Sequence, residues 1–435
     1  MKFLLRIYLL LSICATNYSY ADDSRTIIRD AEVEEILSEI ISPIFTVAGL
    51  CPKTAKVYII NDDSINAFTI GNGYIFLHSG IISRFDNPVH LIAILCHETG
   101  HLAAGYISKM VNRLCTSSDN MTWAIIAGLI GAAITKSEAV AGMLIGYSMM
   151  EKSSVLTFSR NQESEADSLA ASYLGKLGYD AIALMEVFEI FRDIELLSGT
   201  ARVPLYIRSH PKSQDRILFV SKFSKKKQYE IPSDTKKKYD RMRLKLNSYL
   251  KNNHWPPKVP EDEYMKAIYF HKKGKTKEAI SILNELVKKN PNDIYYKDTL
   301  AQTLYETGEH NNAIKIYENI CNTNSPCLMK IDYAKALIAS GNGFDLAIKM
   351  LESVKYTENL DDEIFYLLAI AYGQKGKKGM SLLMKAQERI LQRNYEQAKY
   401  LLTESIKILD PKTEKASVEK AKYLKELVSR KNQCR

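Results

Sequence analysis

Residues 97–101 form a short motif, His97-Glu98-Thr99-Gly100-His101, whose residue types and spacing suit metal chemistry. On a helix, residues four apart lie on one face, so His97 and His101 can bind a single metal ion. Glu98 would then lie beside the open position of the metal, where its carboxylate can take a proton from bound water. Because so short a pattern also arises by chance, the flanking sequence must decide whether the site exists.

The sequence around the motif predicts an apolar helix. Asn87 is a favourable N-cap residue, and Pro88 suits the first helical position. The residues that follow offer a surface for burial: Val89, Leu91, Ile92, Ile94, Leu95, Leu102 and Ala103. Ionisable groups in such a helix are costly unless they are paired or bind a metal, so we favour a metal site over histidines that only hydrogen-bond in the core. His90 has no partner at metal spacing and is expected to be an ordinary half-buried or surface histidine.

A catalytic zinc ion needs three protein ligands and one open position. The same helix does not supply the third ligand, because Ala104 and Ile107 stand where an extended histidine motif would have glycine and histidine. A second predicted helix carries Glu163 and Asp167 four residues apart, so one can bind the metal while the other orients a histidine. The alternative for this segment is an acidic helix N-terminus that favours the helix dipole.

Four ordered segments together resemble the HtpX-like and CAAX-prenyl-protease-like zinc metallopeptidases, which are gluzincins. Two of them are the histidine motif and the Glu-x-x-x-Asp pair described above. Asn66-Ala67-Phe68, followed by a glycine turn and residues 74–80, is similar to the family's strand ahead of the active-site helix. Ser209-His210-Pro211, with Arg216 after it, is similar to the family's C-terminal element. The resemblance covers about residues 30–220.

The resemblance implies how this chain binds its metal. It implies one Zn²⁺ per chain, held by three ligands: His97, His101 and Glu163. It also implies that Glu98 is the general base and that Asp167 orients a ligand histidine.

The resemblance further places His210 and Arg216 at the site as catalytic residues. His210 either steadies an oxyanion or occupies the open metal position at rest, unless it simply caps a helix before proline. Asn66-Ala67-Phe68 is a strand that can pair with an extended substrate, although a structural turn explains the glycines equally well. Relatives often carry a further histidine where this chain has Tyr106.

The first residues predict an export signal. A basic start precedes an apolar segment that ends near Ala15, and Ser19-Tyr20-Ala21 is an acceptable cleavage site. Residues 1–21 are therefore predicted to be a signal peptide cleaved after Ala21, with the mature chain in a bacterial periplasm. Lipidation of Cys14 is the alternative, although the bulky Ile13 does not suit it.

Seven cysteines occur in the sequence, and the one in the predicted signal leaves six after cleavage. An even number in an exported chain permits disulfides. Cys321 and Cys327 are the best predicted pair because they flank a turn-like segment, and Cys51 can pair with Cys115. Cys96 is expected to be a small buried residue.

The formal net charge is +9, and much of the excess lies in a predicted basic linker, residues 223–261. Lysine runs at 225–227 and 236–238 precede Trp255-Pro256-Pro257, which resists helix continuation. Such runs are usually solvated, and peripheral contact with an acidic membrane surface is the alternative. The sequence lacks an aromatic–basic platform or a recognition helix, so nucleic acid is not an expected partner.

Residues 123–150 lie between the two metal-binding segments and are rich in glycine, alanine and aliphatic residues. Lys136 and Glu138 interrupt them, which leaves halves of about 12 residues, too short to span a bilayer. We predict a hydrophobic hairpin that is either plainly buried or a lid in contact with membrane or substrate.

From about Asp262 the sequence changes to amphipathic helices that repeat every 34 residues. The small residues that keep this period are Ala267 and Ala301, Gly274 and Gly308, and Ala279, Ala313 and Ala347. This is the tetratricopeptide period, so residues 262–435 predict an all-α solenoid. Such an array binds extended segments or partner proteins, or it simply braces the protease.

These patterns predict an α+β, mainly helical chain. A gluzincin-like metalloprotease domain with a small sheet, residues 22–222, precedes the tetratricopeptide-repeat domain. This combination resembles the BepA-type periplasmic proteases, which implies an endopeptidase for misassembled outer-membrane or envelope proteins whose repeats bind clients or assembly machinery. A chaperone or scaffold with secondary proteolysis is the alternative, whereas a purely structural zinc site is disfavoured because it normally needs four ligands.

Overall fold

A computed structural model describes residues 27–71, 73–105, 159–198, 206, 210, 213–225, 229–249, 262–322, 324–355, 362–392 and 394–433. The predicted signal peptide, residues 1–21, and the predicted hydrophobic hairpin, residues 123–150, lie outside the described residues. Tyr106 and Cys115 also lie outside them.

A small mixed sheet supports the first half of the chain. Its strands are β1 (Ile27–Ile28), β2 (Lys56–Ile60), β3 (Ala67–Gly71) and β4 (Tyr74–His78), in the order β1-β2-β4-β3. β2 and β4 are parallel, and β3 pairs antiparallel with β4, so β3 lies at the edge of the described sheet. The tight connection requires Gly73, because its φ is 83° and a Cβ there would collide with the carbonyl oxygen of Thr54.

Seven described helices pack around this sheet. They are α1 (Ala31–Val47), α2 (Ser79–Arg84), α3 (Pro88–Ala103), α4 (Arg160–Lys176), α5 (Ile182–Ser198), α6 (Ser213–Val220) and α7 (Ser233–Tyr249). α3 begins as predicted, because the Asn87 side chain accepts a hydrogen bond from the Val89 amide at 2.9 Å and Pro88 occupies the first turn. From Pro88 to His101 every residue of α3 except His90 is buried. The central helix of the domain is therefore the one that carries the histidine motif.

The predicted basic linker, residues 223–261, contains α7. Tyr239, Met242 and Leu246 are spaced along one face of α7. All three are fully buried in the hydrophobic core that the first half of the chain forms. The Tyr239 hydroxyl donates a hydrogen bond to the Phe85 carbonyl at 2.6 Å. The sequence predicted a basic linker because of its lysines. The structure instead has a helix there with one buried apolar face.

The described residues of the second half form a stack of five helical hairpins. Their helices are α8 (Glu263–Lys272), α9 (Thr276–Lys289), α10 (Ile294–Glu306), α11 (His310–Ile320), α12 (Cys327–Ala339), α13 (Phe344–Val354), α14 (Asp362–Gln374), α15 (Lys378–Leu391), α16 (Tyr395–Ile408) and α17 (Lys415–Gln433). The periodic alanines are fully buried where helices cross: Ala267, Ala279, Ala301, Ala313 and Ala347. The predicted fold class, α+β and mainly helical with a small sheet and a helical repeat domain, is confirmed.

A buried ionic network joins the two halves. The Lys245 ammonium group on α7 lies 2.8 Å from the Asp30 carboxylate and 3.0 Å from the Glu32 carboxylate at the start of α1. The hydroxyl of Tyr264, on the first repeat helix, donates a hydrogen bond to Glu32 at 3.1 Å. Arg241 extends the network by pairing with Asp293 on α10. The first domain and the repeats therefore share one charge network, which is buried around Lys245.

The structure also bears on the predicted disulfides and on membrane-spanning helices. The predicted Cys321–Cys327 disulfide is not formed, and Cys321 Sγ donates to the Met329 carbonyl at 3.6 Å. Cys51 is also free and exposed. None of the helices in the described part of the chain is both long enough and apolar enough to cross a bilayer.

We predict that Lys245→Met destabilises the protein strongly, by about 3–5 kcal/mol, because it leaves two buried carboxylates without their cation. The matched control is Lys238→Met on the same helix, where an exposed lysine pairs with Glu39 and the expected cost is at most about 1 kcal/mol. Denaturant unfolding of both variants measures the difference. Equal midpoints would show that the buried network does not contribute to stability.

Candidate metal centre

The site begins with a close contact between α3 and α4. A Cβ atom placed on Gly100 would lie only 3.0 Å from the carbonyl oxygen of Ala166, so the glycine lets the two helices approach closely. α4 starts with a capping box in which Ser159 and Gln162 bond each other's backbone amides. Glu163 lies in the first turn that follows, directed toward the histidine face of α3.

Four side chains converge at this contact: His97, His101, Glu163 and His210. Each offers one potential ligand atom, these atoms all lie within 4.8 Å of one another, and all four residues are buried. The two Nε2 atoms of His97 and His101 are 3.0 Å apart, and Glu163 Oε1 lies 3.4 Å from His101 Nε2. Imidazole nitrogens and a carboxylate oxygen arranged in this way fit a transition-metal ion.

Glu163 and Asp167 approach opposite nitrogens of His97, Glu163 the Nε2 and Asp167 the Nδ1, and this distinguishes the two roles that their spacing left open. Glu163 belongs to the convergent ligand set, whereas Asp167 Oδ1 lies 2.9 Å from Nδ1 of His97. A carboxylate on the distal nitrogen of a histidine orients its ring and raises its basicity toward a metal. This geometry is consistent with Glu163 as the ligand and Asp167 as the residue that orients His97.

Arg216 compensates the buried negative charge. Its guanidinium donates to Asp167 Oδ2 at 2.8 Å and to Asp167 Oδ1 at 2.7 Å, and it lies 3.0 Å from Glu163 Oε2. The group is stacked over the Phe188 ring at 4.0 Å, which restricts its orientation. Arg216 contacts the carboxylates, and its role here is to position them.

His210 lies between the ligand set and Glu98. Its Nδ1 is 2.9 Å from Glu163 Oε1, and its Nε2 is 3.8 Å from Glu98 Oε1. The ring of Tyr206 stacks on His210 with 4.5 Å between centroids, and the His210 amide donates to the Tyr206 carbonyl at 2.8 Å. The sequence interpretation missed Tyr206, whose only signal was its position one helical turn before His210.

Glu98 is fully buried, and neither of its carboxylate oxygens has a hydrogen-bond partner among the described residues. A buried carboxylate in this condition is costly, and a polar ligand in the site would compensate it. Burial raises the pKa of Glu98 above its ordinary value, which makes its carboxylate a stronger proton acceptor. The donor set and this unsatisfied acid together fit a bound metal with a water beside the acid.

The pKa shifts of Glu163 and His101 favour the protonation states that bind a metal ion. Burial opposes ionisation of Glu163 and Asp167, but neighbouring charges outweigh it, those of His210 and Arg216 for Glu163 and that of Arg216 for Asp167, and both pKa values fall. Burial lowers the pKa of His101 to about 3, so its imidazole stays neutral. For His210 burial acts in the same direction, but Glu163 outweighs it and raises the pKa. Ionised carboxylates and neutral imidazoles are the forms that bind metals.

The predicted substrate strand lies next to the site. Asn66 precedes β3, and its carbonyl accepts a hydrogen bond from the His78 amide at 2.8 Å. Ala67 and Phe68 begin the edge strand, and the Phe68 ring stacks on Phe76 at 5.2 Å. β3 packs against α3, the helix that carries His97 and His101. Pairing with a substrate stays a prediction.

Two residues outside the centre have structural roles. His90 does have a partner, since its Nε2 lies 2.9 Å from the Glu186 carboxylate, which also accepts a hydrogen bond from the Tyr229 hydroxyl. Cys96 is fully buried beside the histidine motif, and burial raises the pKa of its thiol. A thiol that stays protonated is not a nucleophile.

A buried His/His/Glu centre with an adjacent acid, on a mainly helical domain with a small sheet, defines a metallopeptidase. Residues 28–224 match the model of Peptidase family M48, so the chain carries a domain of this family. The resemblance to zinc metallopeptidases predicted from the motifs is thereby confirmed, and the protein is a metal-dependent protease.

Similar proteins cover both halves of the chain. The beta-barrel assembly-enhancing protease of Yersinia pestis is 22% identical over 383 residues, which covers 84% of this chain and 76% of that protein. The protein of the same name from Escherichia coli strain K12 is 23% identical over 359 residues, covering 80% of this chain and 73% of that protein. Metalloprotease LoiP from the same strain is 31% identical over 167 residues, covering 38% of this chain and 60% of that protein.

We predict that Gly100→Ala disrupts the centre, because its methyl group forces α3 and α4 apart by a few tenths of an ångström. The expected cost is roughly 1–3 kcal/mol of stability together with weaker metal binding. Gly175→Ala on α4 is the matched control, since nothing lies within 4 Å of its Cβ position and alanine favours helix. Unfolding and metal titration of both variants test the contact, and equal behaviour would contradict it.

We predict that Asp167→Asn weakens metal affinity by roughly 10- to 100-fold while the fold is retained, because His97 loses its orienting carboxylate. Competition with a chromophoric chelator measures the affinity. Glu165→Gln provides the control two residues earlier, on the exposed side of the helix. Unchanged affinity in Asp167→Asn would remove the orienting role of this residue.

Proposed function

We propose that this chain is a zinc-dependent endopeptidase of the bacterial periplasm that hydrolyses misassembled outer-membrane or envelope proteins. The observation that carries the proposal is a convergent set of four potential ligands beside the buried, unsatisfied acid Glu98. The relatives named beta-barrel assembly-enhancing proteases support this client class, because their similarity extends well beyond the peptidase domain.

His97, His101 and Glu163 would hold one Zn²⁺ per chain, since two imidazoles and one carboxylate are a ligand set typical of catalytic zinc. When bound, the ion polarises the scissile carbonyl and lowers the pKa of a coordinated water. Asp167 keeps the His97 ring in its binding orientation, and Arg216 keeps both carboxylates ionised.

Glu98 takes the proton of the attacking water and returns it to the leaving amine, for which burial and the raised pKa are suited. His210 faces both Glu98 and Glu163, a position from which it either stabilises the oxyanion or occupies the fourth ligand position at rest. Arg216 acts through the carboxylates, so its contribution is positioning.

The remaining parts of the chain would export the protein and bring client proteins to the metal centre. A signal peptide cleaved after Ala21 would export the protein, and Asn66-Ala67-Phe68 would pair with an extended client at the sheet edge. The repeats would bind the client or the outer-membrane assembly machinery, as helical solenoids bind extended segments. Peripheral contact with a membrane belongs to the same proposal.

A chaperone or scaffold whose proteolysis is secondary is the second candidate. The repeat domain favours it, because five stacked hairpins offer a long binding surface. Glu98 weighs against it, since a pure binding module has no need for an unsatisfied buried acid beside a metal site.

We predict that the wild-type mature chain contains about one zinc, that Glu163→Ala loses it, and that Glu98→Gln retains it. Glu98→Gln should also cut cleavage of an unfolded outer-membrane protein by roughly 10²- to 10⁴-fold, because only the general base is removed. Elemental analysis and a single-turnover cleavage assay give the two readouts, with Glu165→Gln as the control.

The outcomes separate the candidate functions. Zinc retained in Glu163→Ala would show that the third ligand is wrong, with His210 the next candidate. Full cleavage by Glu98→Gln would remove Glu98 as the base. A Glu98→Gln strain with undiminished outer-membrane assembly would favour the scaffold over the protease.

A further inference from the structure

The short helix α6 has two contrasting faces. Its inner face buries Arg216, Ile217 and Val220 against the metal domain. Its outer face carries Leu218, 60% exposed, and the chain then exposes Phe223 to 41% just after the helix ends. Large apolar side chains left in solvent next to a functional helix indicate a surface that another component covers.

These apolar groups are held in a defined arrangement. The Phe219 and Phe223 rings meet edge to face with 5.3 Å between centroids, and the Lys222 ammonium lies 5.9 Å above the Phe219 ring. The turn after α6 is anchored on Asp180, which accepts hydrogen bonds from the Ser224 hydroxyl at 2.6 Å and from the Lys225 amide at 3.0 Å. The turn therefore holds Phe223 outward.

A surface groove of about 420 Å³ runs between this turn and the outer side of α4. Its lining includes Ser172, Gly175, Gly178, Asp180, Phe223 and Lys225. A Cβ atom on either glycine would meet nothing within 4 Å, so the groove is open along its length. We call Leu218, Phe219, Lys222, Phe223, Lys225 and this groove the α6 surface.

The α6 surface carries both signs of charge: Lys222 and Lys225 are the cations, Asp180 lines the groove, and Asp215 is exposed on α6. Lys222 and Lys225 are exposed, and within the described ranges neither ammonium group forms an ion pair. The sequence continues with Lys226 and Lys227, and the whole chain has a formal net charge of +9. Exposed aliphatic and aromatic groups flanked by unpaired lysines match an anionic bilayer interface, where the rings enter the headgroup region and the lysines meet phosphates.

We propose that the α6 surface is a peripheral membrane-binding site for anionic phospholipids. Leu218 and Phe223 enter the interfacial layer, and Lys222 and Lys225 pair with lipid phosphates. Because α4 carries Glu163 and Asp167 and α6 carries Arg216, membrane contact sets the orientation of the metal centre relative to the bilayer.

The test is cosedimentation of the mature full chain with vesicles of phosphatidylcholine alone or mixed with phosphatidylglycerol. We expect binding to the anionic vesicles only, weakened by added salt. Lys222→Glu with Lys225→Glu should weaken it at least tenfold, since each basic residue near the surface adds roughly fivefold. Leu218→Ser with Phe223→Ser should also weaken binding roughly tenfold, while the remaining binding keeps its salt dependence.

Matched controls lie at the far end of the repeats. Ile408→Ser with Tyr400→Ser removes an exposed aliphatic and an exposed aromatic group, and Lys407→Glu with Lys422→Glu reverses two exposed lysines. These variants should bind anionic vesicles like the wild type, and all variants should keep the metal content and helical signal of the folded protein.

Three results would overturn the proposal. The first is equal affinity of the wild type for neutral and anionic vesicles, or no affinity for either. The second is unchanged vesicle binding in both α6-surface variants. The third is loss of client capture in these variants without loss of vesicle binding, which would make the surface a polypeptide site.

Discussion

The close approach of α3 and α4 is the constraint on which the rest of the structure depends. Only a glycine at position 100 lets the Ala166 backbone come this near, and that distance brings Glu163 opposite His97 and His101. The contact also removes water from several ionisable groups at once, which makes each of them costly unless another compensates it. The contact of α3 and α4 at Gly100 therefore both assembles the site and creates the cost of burying its charges.

Arg216 and His210, from a third segment of the chain, compensate the buried negative charge. Arg216 neutralises Asp167 and Glu163, and His210 lies against Glu163 on the side that faces Glu98. The pKa values of these two carboxylates fall, whereas at Glu98 burial outweighs the nearby cations and raises the pKa. One buried cluster thus contains two carboxylates with lowered pKa values and one with a raised pKa, and the proposed metal-binding and base roles rest on this difference.

The repeats are attached to this domain by charges that are equally buried. Lys245 lies between Asp30 and Glu32, and the Tyr264 hydroxyl of the first repeat donates a hydrogen bond to Glu32. Such a network defines one relative arrangement, because any sliding would leave a buried charge unpaired. The repeat surface therefore has a set direction relative to the metal centre and to the α6 surface on the outside of the same domain.

The sequence by itself determined the features that depend on local spacing. A five-residue motif and its N-cap located the central helix and its histidines, and a 34-residue period located the repeats. It could not distinguish Glu163 from Asp167 by spacing alone, since both lie on one helix face. It also did not reveal the stacking of Tyr206, the buried face of α7, or that Cys321 and Cys327 form no disulfide with each other. Only the tertiary structure decided these, because they depend on distances between segments that are far apart in the chain.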